Sequence, residues 1–261
     1  MNYPKKSLGQ NFLIDNNIIG KILNLISFKN RHIVEIGPGY GSLTDEIIKL
    51  RPKSLCIIEK DSILSKKLKI KYKNLKEVKI YNEDILCFPL EKILKKNSVI
   101  IGNLPYNISS QILVKILRLK KWPPKFNDII FMFQKELGEK IISKFPSKKY
   151  GRLSLLTNLK LKEIKNFLIS PNCFFPKPKI YSMIIHFKPK SKILYNIKNI
   201  KNLEKITNLI FANKRKMINK ILKKIFNDNN SLNKLKINTK LRPGDISPDI
   251  YYKITEIYEA M

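Results

Sequence analysis

Ile33-Val34-Glu35-Ile36-Gly37-Pro38-Gly39-Tyr40-Gly41 decides the fold, because a short apolar strand runs into three glycines within five residues. The chain holds only nine glycines among 261 residues, in a composition rich in Lys, Ile and Asn as from an AT-rich codon pool. Glycine then marks positions where the backbone needs positive φ or close approach to a ligand. Ser42 to Arg51 follows with apolar residues at helical spacing, acids in its first turn and bases in its last, and Pro52 stops it. The unit reads as strand, glycine turn, helix.

Two further strands extend the pattern. Ser54-Leu55-Cys56-Ile57-Ile58 ends at Glu59, the spacing at which a doubly wound nucleotide fold places an acid for ribose hydroxyls. A solvated residue opening the next helix is the plainer reading of Glu59. Val78-Lys79-Ile80-Tyr81 leads to Asn82-Glu83-Asp84. There Asp84 is either a carboxylate receiving the amino group of a cofactor adenine or an ordinary cap. The glycine spacing is GxGxG rather than GxGxxG, and no GKS or GKT occurs. Neither a nicotinamide fingerprint nor a phosphate loop is supported, and S-adenosylmethionine is the better ligand.

Gly102-Asn103-Leu104-Pro105-Tyr106 follows the apolar run Val99-Ile100-Ile101. At a strand's carboxyl end, the Asn103 side-chain oxygen and the Leu104 carbonyl can both accept from one NH2 group. Pro105 stiffens the turn and Tyr106 offers a flat face to a base. The constellation points to methylation of an adenine N6, although a strand-to-loop turn with a core tyrosine has the same wording.

With these motifs in place, the chain resembles the small-subunit ribosomal RNA adenine N6,N6-dimethyltransferases of the KsgA/RsmA type. The resemblance rests on Lys6 to Leu13, Val34 to Gly39, Gly102 to Ser110, Phe133 to Glu136, Tyr150 to Ser154, Cys173 to Ile180, Phe211 to Lys216 and Arg242 to Ser247, in family order over essentially the whole chain. It implies that Asn11, Leu13, Gly37, Glu59, Asp84 and Asn103 line the cofactor pocket. Asn103, Leu104 and Tyr106 would hold the target base and Phe174 would stack on its other face. Taken without the family, Phe174 beside Phe175 and prolines reads as ordinary core. Lys177 stands where the family often has proline, and Lys214 where it often has arginine, a point charge in place of a bidentate fork. The implied reaction is dimethylation of two adjacent adenines near the 3' end of 16S ribosomal RNA, coupled to small-subunit biogenesis. No metal or general base is required, and His32 and His186 read as structural.

Fifty-two bases against twenty acids give a net charge of +32, which suits a polyanionic partner even where part of it is codon drift. Lys5, Lys6, Arg152, Lys214, Arg215 and Lys216 are the candidate RNA contacts, the last three opening a helix with an apolar stripe of Met217, Ile218, Ile221, Leu222 and Ile225. Three scattered cysteines without CxxC pairing suggest a reducing compartment and no structural zinc. No signal-peptide block or membrane-length apolar run is seen, so cytoplasm is the default. The expected architecture is α/β: a Rossmann-like class I methyltransferase sheet over 1–188 and a small helical RNA-binding domain over 189–261, with the linker at 188–192. The closing helix after Pro248 carries Ile250, Ile254 and Ile257, and Asn227 to Asn238 retains enough apolar residues to fold. A monomer is expected, with small-subunit RNA and the immature small subunit as partners. Three rivals remain: large-subunit RNA methylation of the macrolide-resistance type, DNA adenine methylation, and an assembly checkpoint without catalysis.

Overall fold

The computed structural model describes residues 9–226, 235 and 237–261. Candidate contacts Lys5 and Lys6, and most of the stretch from Asn227 to Asn238, lie outside them. The elements follow the alternation expected from sequence. Phe12–Leu13 (β1) leads to Asn16–Leu23 (α1), His32–Ile36 (β2), Ser42–Lys49 (α2), Ser54–Ile58 (β3), Ser62–Lys71 (α3) and Val78–Tyr81 (β4). Leu90–Ile93 (α4), Ser98–Asn103 (β5), Ser109–Leu117 (α5) and Phe126–Gln134 (β6) come next. Lys135–Ile142 (α6) and Arg152–Lys160 (α7) precede Leu161–Ile169 (β7), Phe174–Phe175 (β8) and Ser182–Pro189 (β9). Ile200–Phe211 (α8), Asn219–Ile225 (α9) and Pro248–Ala260 (α10) complete the described helices.

Seven strands form one sheet in the order β4-β3-β2-β5-β6-β9-β7, and β1 pairs with β8 in a separate two-stranded sheet. The pairs from β4 across to β6 are parallel and β6–β9 is antiparallel. Parallel strands need helical crossovers that bury both faces, which is why β5 and β6 read as near-continuous apolar runs. Val99, Ile100, Ile101 and Ile129 through Phe133 are all 1% exposed or less. Order reverses at β2, between β3 and β5, so the carboxyl ends of β2 and β5 flank a switch-point crevice where open α/β sheets bind ligands. Gly102 sits beside it because a Cβ there would stand 2.5 Å from the Ile36 carbonyl oxygen, backbone that cannot move aside. At the opposite end of the sheet, Asp128 takes Arg31 Nη1 at 2.7 Å and lies 2.7 Å from His186 Nε2. His32 Nδ1 lies 2.7 Å from Ser54 Oγ.

The chain divides into two compact units. One runs to Gly138 and resumes over Lys162–Pro189; the other comprises Glu139–Leu161 and continues from Lys190. A single cut near residue 188 was expected from the sequence, yet 139–161 belongs with the C-terminal helices. The reason is α7, whose Leu155, Leu156 and Leu159 are buried, with the Leu155 carbonyl receiving the Tyr252 hydroxyl at 2.9 Å. In this second unit Phe211 stacks on Tyr251 at 5.4 Å between ring centroids. Two details of the expected helices change. Lys214 to Lys216 lie in the turn before α9 rather than at its start, and Met217 is 47% exposed, outside the buried stripe. In α10 the buried face is led by Tyr251, Tyr252 and Ile254 rather than by isoleucines alone.

Candidate active site

The glycine turn after β2, the ends of β3 and β5 and the β1 segment enclose a pocket. Asn11, Leu13, Gly37, Glu59, Asp84, Asn103, Leu104 and Tyr106, all expected at the site, line it together. Gly39 has φ +62° and a Cβ there would lie 2.5 Å from the Phe12 ring, so only glycine lets β1 close over the turn.

Glu59 is buried, not solvated. Its Oε1 accepts from the Asp61 amide at 2.8 Å and its Oε2 from the Gly39 amide at 3.3 Å. Burial pushes its carboxyl up, against the pull of these two amides. Asn82 Nδ2 donates to the Glu59 carbonyl at 3.0 Å, tying the end of β4 to the end of β3. Asp84 pairs through Oδ2 with Lys60 Nζ at 2.8 Å and accepts the Leu86 amide on Oδ1 at 2.9 Å. The Lys60 hydrogen bond holds its carboxyl below the ordinary aspartate range.

At the end of β5, Asn103 donates through Nδ2 to the Asn11 carbonyl at 2.7 Å. With the amide nitrogen committed to the β1 segment, Oδ1 is the atom left to accept from a ligand. Tyr106 follows the turn; its carbonyl accepts from Ser109 Oγ at 3.1 Å and its hydroxyl lies 2.5 Å from Ser182 Oγ. Phe174 does not join this lining. It is 3% exposed and sits in the core with Leu13, whereas Phe175, 53% exposed, points the other way. Successive strand residues face opposite sides, and β8 turns Phe174 inward as it pairs with β1. The aromatic lining that sequence reading missed is Phe12 and Tyr40, with centroids 4.6 Å apart.

The lining is acidic in a basic chain. Glu35, Glu59, Glu83 and Asp84 are the acids and Lys60 the base among the described lining residues; Asp84 is paired with Lys60, and burial favours the neutral form of Glu35 and Glu59. Lys60 apart, this lining offers no base to a phosphate-bearing cofactor, whereas its carboxyl oxygens can accept the hydroxyl and amino groups of S-adenosylmethionine. Glu35 is 1% exposed, accepts the Thr44 hydroxyl at 2.7 Å, and burial pushes its carboxyl up to about 8. The unfolded chain loses this proton near the ordinary 4.5 and the folded chain near 8, so stability contributed by the buried neutral acid falls as pH rises between them. Glu35→Gln is expected to flatten the fall of the ligand-free melting temperature between about pH 5 and pH 8. Melting curves of the two proteins across that range check this, and parallel curves contradict it.

Arg152 is exposed at the start of α7, and Lys214, Arg215 and Lys216 are exposed in the turn after α8, with Lys214 Nζ 6.0 Å from the Phe211 ring centroid. These residues belong to the second unit. Among the described residues no group of three or more His, Cys, Asp or Glu is placed to hold a metal ion, and no helix is long and apolar enough to cross a membrane.

A mostly parallel switch-point sheet with an acid-lined glycine-turn pocket is the architecture of the Rossmann-like class I methyltransferases. The fold is shared with a dimethyladenosine transferase from Plasmodium falciparum (TM-score 0.72, 23% identity, 93% of this chain and 95% of that one). It is shared also with the 23S rRNA methyltransferase ErmE (TM-score 0.66, 21% identity, 95% and 99%). The family model for ribosomal RNA adenine dimethylase matches residues 1–260, and the chain belongs to that family. Ribosomal RNA small subunit methyltransferase A of Pelagibacter ubique (strain HTCC1062) is 43% identical over 261 residues, 98% of this chain and 97% of the relative. The protein of that name from Francisella tularensis subsp. novicida (strain U112) is 40% identical over 249 residues, 93% of each chain.

Proposed function

We propose that this protein is an S-adenosylmethionine-dependent enzyme that dimethylates N6 of two adjacent adenines near the 3' end of small-subunit ribosomal RNA. Asn103 carries the reading: its amide nitrogen is held by the Asn11 carbonyl and its oxygen is left to receive an exocyclic amine at the mouth of an acidic pocket. Glu59 would hold ribose hydroxyls, Asp84 the adenine amino group, and the Gly37 turn the methionine portion of S-adenosylmethionine. When bound, that cofactor supplies a methyl group activated by its sulfonium.

The protein's part is alignment and charge. The N6 lone pair of adenine is delocalised into the ring, which makes it a poor nucleophile. Acceptance of its hydrogens by Asn103 Oδ1 and the Leu104 carbonyl favours a pyramidal nitrogen and stabilises the positive charge that develops on it. Once methylated, the nitrogen is acidic enough to release its proton to water. After the first transfer one hydrogen remains for the same acceptors, and the methyl group must turn out of line. Leaving the base stack costs a few kcal/mol, part of which the face of Tyr106 compensates.

Arg152 and Lys214 to Lys216 give the second unit an exposed basic surface for RNA phosphates; with Lys5 and Lys6 they are the proposed contacts, and 190–261 with 139–161 is the proposed RNA-binding unit. The enzyme would act as a monomer in the cytoplasm on an immature small subunit. The test offers labelled S-adenosylmethionine with unmethylated small subunits, large subunits and DNA in parallel. Label confined to small-subunit RNA is expected; label in large subunits or DNA contradicts the substrate, and binding without transfer contradicts catalysis.

A further inference from the structure

Tyr106 is fixed at both ends, by groups from different parts of the chain. Its carbonyl is held by Ser109 from the first turn of α5. Its hydroxyl reaches Ser182, the first residue of β9 and 76 positions away in sequence. Ser182 is 0% exposed and pairs with Gln134 in the β6–β9 ladder, while Asn103 pairs with Met132, two residues earlier on β6. Ser182 therefore stands just beyond the level of the carboxyl end of β5, two strands over with β6 between, on the side of the turn that carries Asn103 and Tyr106. The ladder continues past it through the Lys135 amide, which donates to the Tyr181 carbonyl at 2.9 Å. A serine on such a strand is a rigid post for a side chain placed on a loop.

We propose that Ser182 is a positioning residue for methyl transfer, its hydroxyl holding the Tyr106 ring as the wall against which the target adenine lies. The proposal rests on the reading of Tyr106 as the base-facing aromatic. It explains why the ring is a tyrosine: a phenylalanine would present the same face with its far end untethered. Ring drift blurs the alignment of N6 and matters most in the second transfer, when a methyl group already crowds the amine.

Ser182→Ala and Tyr106→Phe remove the same hydrogen bond from opposite sides. Tyr106 is only partly buried, so Tyr106→Phe keeps the test open if Ser182→Ala folds poorly. Each is expected to lower kcat about five- to tenfold, the worth of one such bond. KM for S-adenosylmethionine should stay unchanged, and N6-monomethyladenosine should rise relative to the dimethylated product. The double variant should be no slower than either single one. Wild-type kcat and product ratio in either single variant, or additive losses in the double, would overturn the proposal. Tyr106→Ala separates the two levels. Strong loss there with intact Tyr106→Phe leaves the base-facing reading standing and sinks the role of Ser182, whereas full activity in Tyr106→Ala sinks both.

Discussion

Asn103→Ala is expected to lower methyl transfer by at least about 10²-fold, the scale seen when one preorganised group facing developing charge is removed. The substitution deletes Oδ1, the acceptor proposed for N6, and frees the Asn11 carbonyl that Nδ2 now holds at 2.7 Å. Stability should fall by about 1 kcal/mol, the net worth of one part-buried hydrogen bond, so the melting temperature drops only a few degrees. The signature is thus a folded protein that still binds S-adenosylmethionine and does not transfer. Rate measurements beside a thermal melt and a calorimetric titration separate these. Activity near wild type would remove Asn103 from the centre of the account, and loss of cofactor binding with the rate would place its role at the cofactor rather than at the amine.

Glu59→Ala is expected to act on binding and folding together. Its carboxylate is the acceptor for two amides, those of Gly39 and Asp61. Leaving each buried donor unpaired costs about 1–3 kcal/mol. It also removes the acid proposed for the ribose hydroxyls, and loosening the Gly39 turn disturbs the wall packed against Phe12. Affinity for S-adenosylmethionine should fall about 100-fold or more, equivalent to about 3 kcal/mol, with a melting temperature lowered by several degrees. Glu59→Gln, which keeps one acceptor oxygen, should lie between. Wild-type affinity in Glu59→Ala would contradict the placement of the cofactor.

What could be read from sequence was what local chemistry dictates. Gly37, Gly39 and Gly41 announce a turn because the composition leaves glycine so few other places, and Glu59 and Asp84 follow at strand ends set by a regular alternation. The site's remaining residues are joined through space. Ser182 meets Tyr106 from 76 residues away, and nothing in Tyr181-Ser182-Met183 announces a serine facing a loop. Phe12 is visible only once Gly39 is seen to have room for its ring. Phe174 shows the limit of a carried-over role: adjacency to Phe175 guarantees opposite faces, but which one points inward depends on pairing with β1. The membership of 139–161 was not legible for a related reason, since α7 sits between strand patterns in sequence while its leucines pack with the C-terminal helices. The strand Leu161–Ile169, largely exposed between its buried ends, lacks the apolar run that made β5 and β6 legible.

The most direct test of the central claim is the chemical identity and position of the product. Unmethylated small subunits are incubated with the protein and labelled S-adenosylmethionine, and the RNA is then mapped and digested to nucleosides. The account predicts N6,N6-dimethyladenosine at two adjacent adenines near the 3' end; label elsewhere, or a product that stops at N6-monomethyladenosine, would contradict it.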